Sequence, residues 1–353
     1  MTSTVNATTL RPNKGFHPIL EQRQPYLFID ACMQVWPDAD FANAHRHGVG
    51  AYGVTAILPH SSLATAMKSV MFWHLVAREH PNLVIAATAS DIVGAREAGK
   101  AAIIIAAQDG DWIGRDVHRV EAFYKLGLRL MLPAYNATNL ICGGCLDRSD
   151  HGLTRLGERV VDECARLGLL LDGSHVGRRA TLEIMARSGQ PFVFSHSNVK
   201  GIVDNPRNID DEQIKACAAT GGVIGLAPFG PFTLKKGRRE WPSTKDFLEH
   251  IDHVAQLTGS TDHIGIGTDM SLGTYPDHEV DPWGAPAYAS SLGEYAEAVT
   301  GDVRSPKRAL SDFNSYPQVL NLAETMLSRR YTENDVHKIL GQNFIRVFEQ
   351  VWK

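Results

Sequence analysis

The chain has 353 residues, 44% of them hydrophobic and 21% charged, with a formal net charge of −4, which suits a globular protein with ample core. That mildly acidic balance leaves no electrostatic footprint for nucleic acid or an anionic membrane surface, so neither is expected as a partner. Residues 1–25 lack a signal-like apolar core and no run approaches the roughly 20 apolar residues of a membrane span, so a cytoplasmic protein is expected.

Residues 1–25 read as an N-terminal extension. The first apolar β-type run covers residues 26–29 and leads into Asp30, Cys32 and Gln34. A helical stretch after Asp38 carries His45, Arg46 and His47, whose side chains would point to different faces and read as a solvated polar cluster. Further runs at 51–57, 101–107 and 128–132 are followed by polar residues, Gln108 and Asp109 after the 101–107 run and Tyr135 and Asn136 after the 128–132 run. Cys142-Gly143-Gly144-Cys145 has CxxC spacing but no second pair, and reads as a glycine turn. With Cys32, Cys164 and Cys217 the cysteines number five, which suggests reduced thiols.

In the second half, Thr154 caps a helix over 155–167 closed by Gly168, and the next runs lie at 169–171, 192–194, 222–226 and 263–266. Residues 178–188 have helical character, and Asp210 or Asp211 caps a helix to Ala219 that ends at Gly221 and Gly222. Eight runs, apolar on both faces and alternating with helices, predict an α/β fold. The expected form is a single (β/α)₈ barrel of TIM type over residues 1–353, with a doubly wound open sheet as the alternative. Residues 270–313, rich in Gly, Pro, Asp and Tyr, read as a long loop on the active-site rim. Residues 315–353 read as closing helices, one at 332–340 capped by Thr332 and one at 343–352 with Phe344, Val347, Phe348 and Val351 on one face.

Two histidines carry most of the chemistry. His175 ends Leu169-Leu170-Leu171-Asp172-Gly173-Ser174-His175 and His196 ends Pro191-Phe192-Val193-Phe194-Ser195-His196, one strand-helix-strand step apart. Adjacent strand tips of a parallel barrel lie within reach of one metal ion. Asp269 follows the last strand in Gly267-Thr268-Asp269, where a carboxylate can orient water and accept its proton. His250 and His253, three apart on one helical face, read as structural. The absence of a GxxxxGK loop or a serine nucleophile elbow argues against ATP use and serine hydrolysis.

From residue 26 to residue 352 the chain resembles the membrane (renal) dipeptidase family of the amidohydrolase superfamily. The resemblance rests on Leu171-Asp172-Gly173-Ser174-His175-Val176, Phe194-Ser195-His196-Ser197-Asn198, Pro206-Arg207-Asn208-Ile209-Asp210-Asp211, Gly267-Thr268-Asp269, His250-Ile251-Asp252-His253 and Asn343-Phe344-Ile345-Arg346-Val347-Phe348. It implies that His175 and His196 hold a divalent metal, zinc in the first instance, and that Arg207 pairs with a substrate carboxylate. It also implies that Asp269 serves the attacking water or the tetrahedral intermediate, and that the protein is a homodimer.

The chain departs from the family's pattern at three tips. Cys32-Met33-Gln34 stands where the family shows His-x-Asp, Gln108 where it shows a bridging Glu, and Tyr135 where it shows a substrate-facing histidine. A neutral Gln108 cannot offset the repulsion of two adjacent dications, so one metal is expected, with Cys32, Gln108 and Asp109 as candidate additional ligands. Tyr135 is a candidate oxyanion donor and, with Asn136 and Arg207, a candidate substrate contact. The leading expectation is a metal-dependent hydrolase of an amide-type bond in a small carboxylate-bearing substrate. The alternatives are an isomerase or lyase acting on a modified amino acid in the same pocket, and a catalytically silent barrel that binds a small carboxylate.

Overall fold

A computed structural model of the chain describes residues 26–35, 39–273 and 308–353. The expected N-terminal extension and residues 274–307 of the expected rim loop lie outside the described residues. The strands are β1 (Phe28–Val35), β2 (Val49–Ile57), β3 (Leu83–Ile85), β4 (Ala101–Ala107), β5 (Leu128–Met131), β6 (Leu170–Leu171), β7 (Val193–Phe194), β8 (Val223–Leu226), β9 (Ile264–Ile266) and β10 (Ser271–Leu272). Every pairing between them is parallel.

One sheet runs in the order β10-β1-β2-β4-β5-β6, with β3 on the side of β4, and a second runs β7-β8-β9. A parallel bridge between Asp172 and Val193 joins β6 to β7. After β9 the chain bonds back to β1, with Asp269 N donating to Cys32 O at 2.8 Å and β10 pairing with Gln34 and Val35. The order therefore follows the sequence and returns to its start, in an α/β fold of the TIM-barrel type with a parallel central sheet.

All eight expected strands are present, with one marked difference in extent and two short additions. The first runs through Val35 instead of ending at Ile29, because β2 and β10 supply partners along its whole length. Cys32 and Gln34 consequently lie within β1 and do not follow it. The short β3 and β10 were not expected, since two or three residues are too few to show a period.

The helices are α1 (Phe41–Arg46), α2 (Leu63–Glu79), α3 (Ala89–Glu97), α4 (His118–Lys125), α5 (Arg155–Leu167), α6 (Arg178–Ser188), α7 (Asp211–Ala219), α8 (Gly230–Thr233), α9 (Thr244–Thr258), α10 (Val319–Ser328), α11 (Glu333–His337) and α12 (Asn343–Val351). Their ends follow the sequence signals. Thr154 Oγ1 accepts from Gly157 N at the start of α5, and Gly168 closes that helix with φ +81°. Asp210 and Gln213 form a capping box on α7. A wide turn over Lys338–Gln342 carries α11 directly into α12, where two separate helices were expected. Among the described residues no helix is long and apolar enough to cross a membrane.

Strand residues alternate between two packing environments. Ile29, Ala31, Ala102, Ile104, Leu130, Val193 and Val223 form one cluster with Phe344, Val347, Phe348 and Val351 of α12. Ile103, Ile105, Leu171, Phe194 and Ile224 join the larger cluster that contains Trp73, Val160 and Ile214 of the covering helices. Both faces are therefore dry, as a helix-covered parallel sheet requires. The apolar face of α12 approaches closely, since a Cβ on Gly265 of β9 would stand 2.3 Å from the Phe344 ring.

Candidate active site

His175 and His196 meet, with their Nε2 atoms 2.9 Å apart and both residues buried. Two nitrogens on one tetrahedral ion at about 2.0–2.1 Å stand roughly 3.3 Å apart, so a small parting of the rings would admit one. The alternative at 2.9 Å is a hydrogen bond from one ring to the other, because two facing lone pairs would repel. Burial first, then the cationic Arg207, holds both imidazoles well below their ordinary pKa. Arg308 adds to this effect at His196. Each ring is therefore neutral near pH 7 and has one bare nitrogen to offer.

The backs of the rings decide which nitrogen is bare. His175 Nδ1 lies 2.7 Å from Asn136 Oδ1, a pure acceptor, so its proton sits on Nδ1 and its Nε2 keeps a lone pair facing His196. His196 Nδ1 lies 2.6 Å from Ser195 Oγ, which can donate or accept. Its proton can therefore sit on Nε2, bonding His175, or move to Nδ1 and leave two lone pairs converging on a cation. The two histidines thus fit a metal ion.

The backbone that carries them is tightly specified. Asp172, fully buried, accepts Ser174 N at 2.8 Å and Ser195 N at 2.9 Å through Oδ1 and so ties the tips of β6 and β7 together. Ser174 Oγ accepts from His196 N at 3.0 Å. His175 has φ +67°, a conformation held by two N–H groups, those of Asn136 at 3.2 Å and Cys145 at 3.0 Å, donating to its carbonyl. That loop passes so close that a Cβ on Gly144 would stand 2.1 Å from Asn136 O. Tyr135 stacks on the other face of His175, with ring centroids 3.8 Å apart.

A cavity of about 220 Å³ opens beside the pair, lined among others by His175, Arg207, Cys145, Asn208, Asp210 and Gln213. Arg207 is 2% exposed, lies 5.3 Å from the Phe232 ring centroid and donates to His196 O at 3.4 Å. The Arg207 guanidinium at the cavity wall offers a planar fork suited to a carboxylate, on a lining that also carries Arg178, Lys200 and the carboxylates of Asp147, Asp150 and Asp210.

The strand ends of β1, β4 and β9 differ in character. Asp269, with φ +49°, accepts Gln34 Nε2 on Oδ1 at 3.0 Å, and Arg308 Nη2 lies 3.3 Å from its Oδ2. Gln108 Nε2 donates to Cys32 Sγ at 3.3 Å and to Thr55 Oγ1 at 3.0 Å. Burial first, then the charges of Asp269, Asp30 and Asp172, pushes the Cys32 thiol far up. Asp30, at the start of this strand end, accepts Thr268 N at 2.8 Å and Tyr316 OH at 2.9 Å, and burial raises its pKa to about 6.

The structure sorts the expected site residues. His175, His196 and Arg207 come together. Cys32, Gln34, Gln108 and Asp269 gather at other strand ends of the same mouth, near enough that Arg308, the partner of Asp269, acts on His196. Among the described residues no third His, Cys, Asp or Glu joins the histidine pair within 4.8 Å, so Cys32 and Asp109 are not gathered as its ligands. Asp109 instead groups with His60 and Asp111, where His60 Nδ1 is 3.1 Å from Asp111 Oδ2 and 3.9 Å from Asp109 Oδ2. Asn136 and Tyr135 do not line the cavity, and they hold the edge and the face of His175. Asp172, Ser174, Ser195 and Arg308 went unrecognised as site residues in the sequence. The dipeptide Ser-His recurs at both tips and would have flagged the two serines, whereas Arg308, 39 residues beyond Asp269, carries no local signal.

His250 and His253 are structural, as expected. His250 Nδ1 accepts from Val199 N at 3.0 Å, and His253 pairs with Asp211 at 2.7 Å. All five cysteines, including Cys142 and Cys145, are free thiols.

Known proteins give this arrangement its context. Dipeptidase tcpJ of Claviceps purpurea is 27% identical over 265 residues, covering 74% of this chain and 54% of that protein, so the chain spans about half the length of that relative. An uncharacterized protein from the pqqA 5′ region of Klebsiella pneumoniae is 27% identical over 291 residues, covering 79% of this chain and 93% of its own. The crystal structure of an amidohydrolase from Pseudomonas aeruginosa superposes with a TM-score of 0.78 at 28% identity, covering 93% of this chain and 97% of the other. The sequence model of the membrane dipeptidase family, peptidase family M19, matches residues 33–282. The strand-tip histidines, the buried arginine and that match lead to one conclusion: the chain belongs to the membrane dipeptidase family of metal-dependent, dipeptidase-like hydrolases.

Proposed function

We propose that this protein hydrolyses the amide-type bond of a small carboxylate-bearing substrate, a dipeptide or an amino-acid conjugate, with one divalent ion held by His175 and His196. Zinc suits two neutral imidazole nitrogens. The observation that carries the reading is the 2.9 Å apposition of the two Nε2 atoms, with His175 lining a cavity whose wall also carries Arg207. When bound, such an ion supplies Lewis acidity and makes water acidic enough to react near neutral pH.

The protein's own groups do the rest. Arg207 grips the substrate carboxylate through its planar fork and so fixes the amide relative to the histidines. Asp269 receives the proton of the attacking water on its carboxylate and passes it to the leaving amine. Asn136 and Tyr135 keep the His175 ring in place, and Ser195 does so for His196. Gln34, Gln108 and Cys32, none of them carrying a formal negative charge, give no support for a second ion.

The test is dipeptide hydrolysis before and after chelation, followed by addition of zinc. The expected result is loss and recovery of activity, with a dipeptide amide at least about tenfold poorer in kcat/KM, since one charged hydrogen bond is worth about 1.5–3 kcal/mol. Hydrolysis that survives complete metal removal would overturn the reading. The amide-bearing strand ends also leave room for a second reading, an isomerase or lyase in the same pocket, which product analysis of the same assay would reveal as conversion without cleavage.

A further inference from the structure

Asp269 is held on every side by its own chain. Its N–H donates to Cys32 O at 2.8 Å, Gln34 Nε2 donates to its Oδ1 at 3.0 Å, and Arg308 Nη2 donates to its carbonyl oxygen while lying 3.3 Å from its Oδ2. Arg308 is a partly buried partner, its side chain 10% exposed and its guanidinium 5.6 Å from the Phe229 ring centroid. The neighbouring strand ends present hydrogen-bond donors to the same space. The Gln34 amide nitrogen faces the carboxylate, and the Gln108 amide nitrogen is turned to Cys32 Sγ and Thr55 Oγ1.

We propose that Arg308 is a tethered cation that claims Asp269 and keeps a second divalent ion out of the barrel mouth. A cation bound to this carboxylate would stand a few ångströms from a full positive charge in a dry setting, where repulsion between like charges is strong. The guanidinium is part of the chain, so its occupancy does not depend on ion concentration. Arg308 is in this view a positioning residue. It holds Oδ2 and the carbonyl oxygen of Asp269 while Gln34 holds Oδ1, and so leaves the histidine pair as the place where an ion is bound. The inference rests on the one-metal reading above and adds its cause.

Bound zinc per chain, measured by equilibrium dialysis and elemental analysis, tests it. The first variant, Gln34→Asp with Gln108→Glu, supplies carboxylates around Asp269. A second adds Arg308→Gln, which keeps a donor to Asp269 without the charge, and a third adds Arg308→Lys, which keeps the charge. The expected result is about one further zinc, bound at least about tenfold more tightly, with Arg308→Gln and not with Arg308→Lys. An additional zinc that binds equally well with Arg308 intact would overturn the proposal, as would no gain with Arg308→Gln in a protein that melts cooperatively. The ion on the histidines is read separately, as the zinc lost on His175→Ala in the parent. If nothing is lost there, the one-metal reading fails, and the Arg308 comparison keeps its own answer.

Discussion

At the scale of single residues, the chemistry turns on where one proton sits. Asn136 can only accept from His175, so that ring has a fixed tautomer, whereas Ser195 can switch between donating to and accepting from His196 Nδ1. Ser195→Ala removes the acceptor that the metal-binding tautomer of His196 needs. It should weaken metal binding by about 10–100-fold, the usual cost of losing such a supporting partner. Calorimetric metal titration checks this, and nitrogen NMR of the ion-free protein should show the His196 proton on Nε2 in the parent. Arg207→Ala should lower kcat/KM about 10–100-fold through loss of a charged contact, while the metal content stays unchanged. The histidines were legible in the sequence because they end apolar strand runs, and Arg207 through the family resemblance of Pro206-Arg207-Asn208-Ile209-Asp210-Asp211. Arg308 was not, because its pairing with Asp269 is set by tertiary structure across a long separation.

At the scale of elements, caps and close approaches decide whether the site is presented correctly. Thr154 closes the first turn of α5 through Gly157 N. Thr154→Ala should cost about 1 kcal/mol in urea denaturation and leave metal content untouched, since Thr154 caps the N-terminal end of a covering helix and touches neither histidine. Gly144→Ala should behave differently, because its Cβ would press into Asn136 O and Asn136 C, both backbone atoms of the loop that holds His175. The expected outcome is a stability loss of at least about 2 kcal/mol together with weaker metal binding, read by the same two measurements. Apolar runs of three to seven residues with polar tips made the barrel strands legible, and Thr, Asp and Gly at helix ends made α5 and α7 legible almost to the residue. The extension of β1 to Val35 was hidden because Asp30, Cys32 and Gln34 interrupt its apolar pattern, and only the pairing with β2 and β10 shows why they belong to a strand.

At the scale of the whole molecule, the fold keeps several buried groups in their uncharged forms, and this sets its response to acid. His250 is fully buried with Nδ1 accepting from Val199 N, and burial, then Lys235, then His253, lowers its pKa to about 3. The unfolded chain takes up that proton below about pH 6.5 and the folded chain does not. Stability should therefore fall as pH drops from about 6.5 toward 3, by up to about 1.4 kcal/mol per pH unit from this residue. Asp30 acts with the opposite sign between about pH 6 and 4, because its folded pKa lies above the unfolded value. Comparing His250→Gln with the parent by urea denaturation at several pH values isolates the histidine, and the variant should show the shallower acid slope.

The central claim is that His175 and His196 together hold one divalent ion in a dipeptidase-like barrel. Elemental analysis of the purified protein after zinc loading and dialysis tests it most directly, on the parent and on His175→Ala and His196→Ala. The account predicts about one zinc per chain in the parent and close to none in either variant, with cooperative unfolding retained in both. Two zinc ions per chain in the parent, or an unchanged content in the histidine variants, would contradict it.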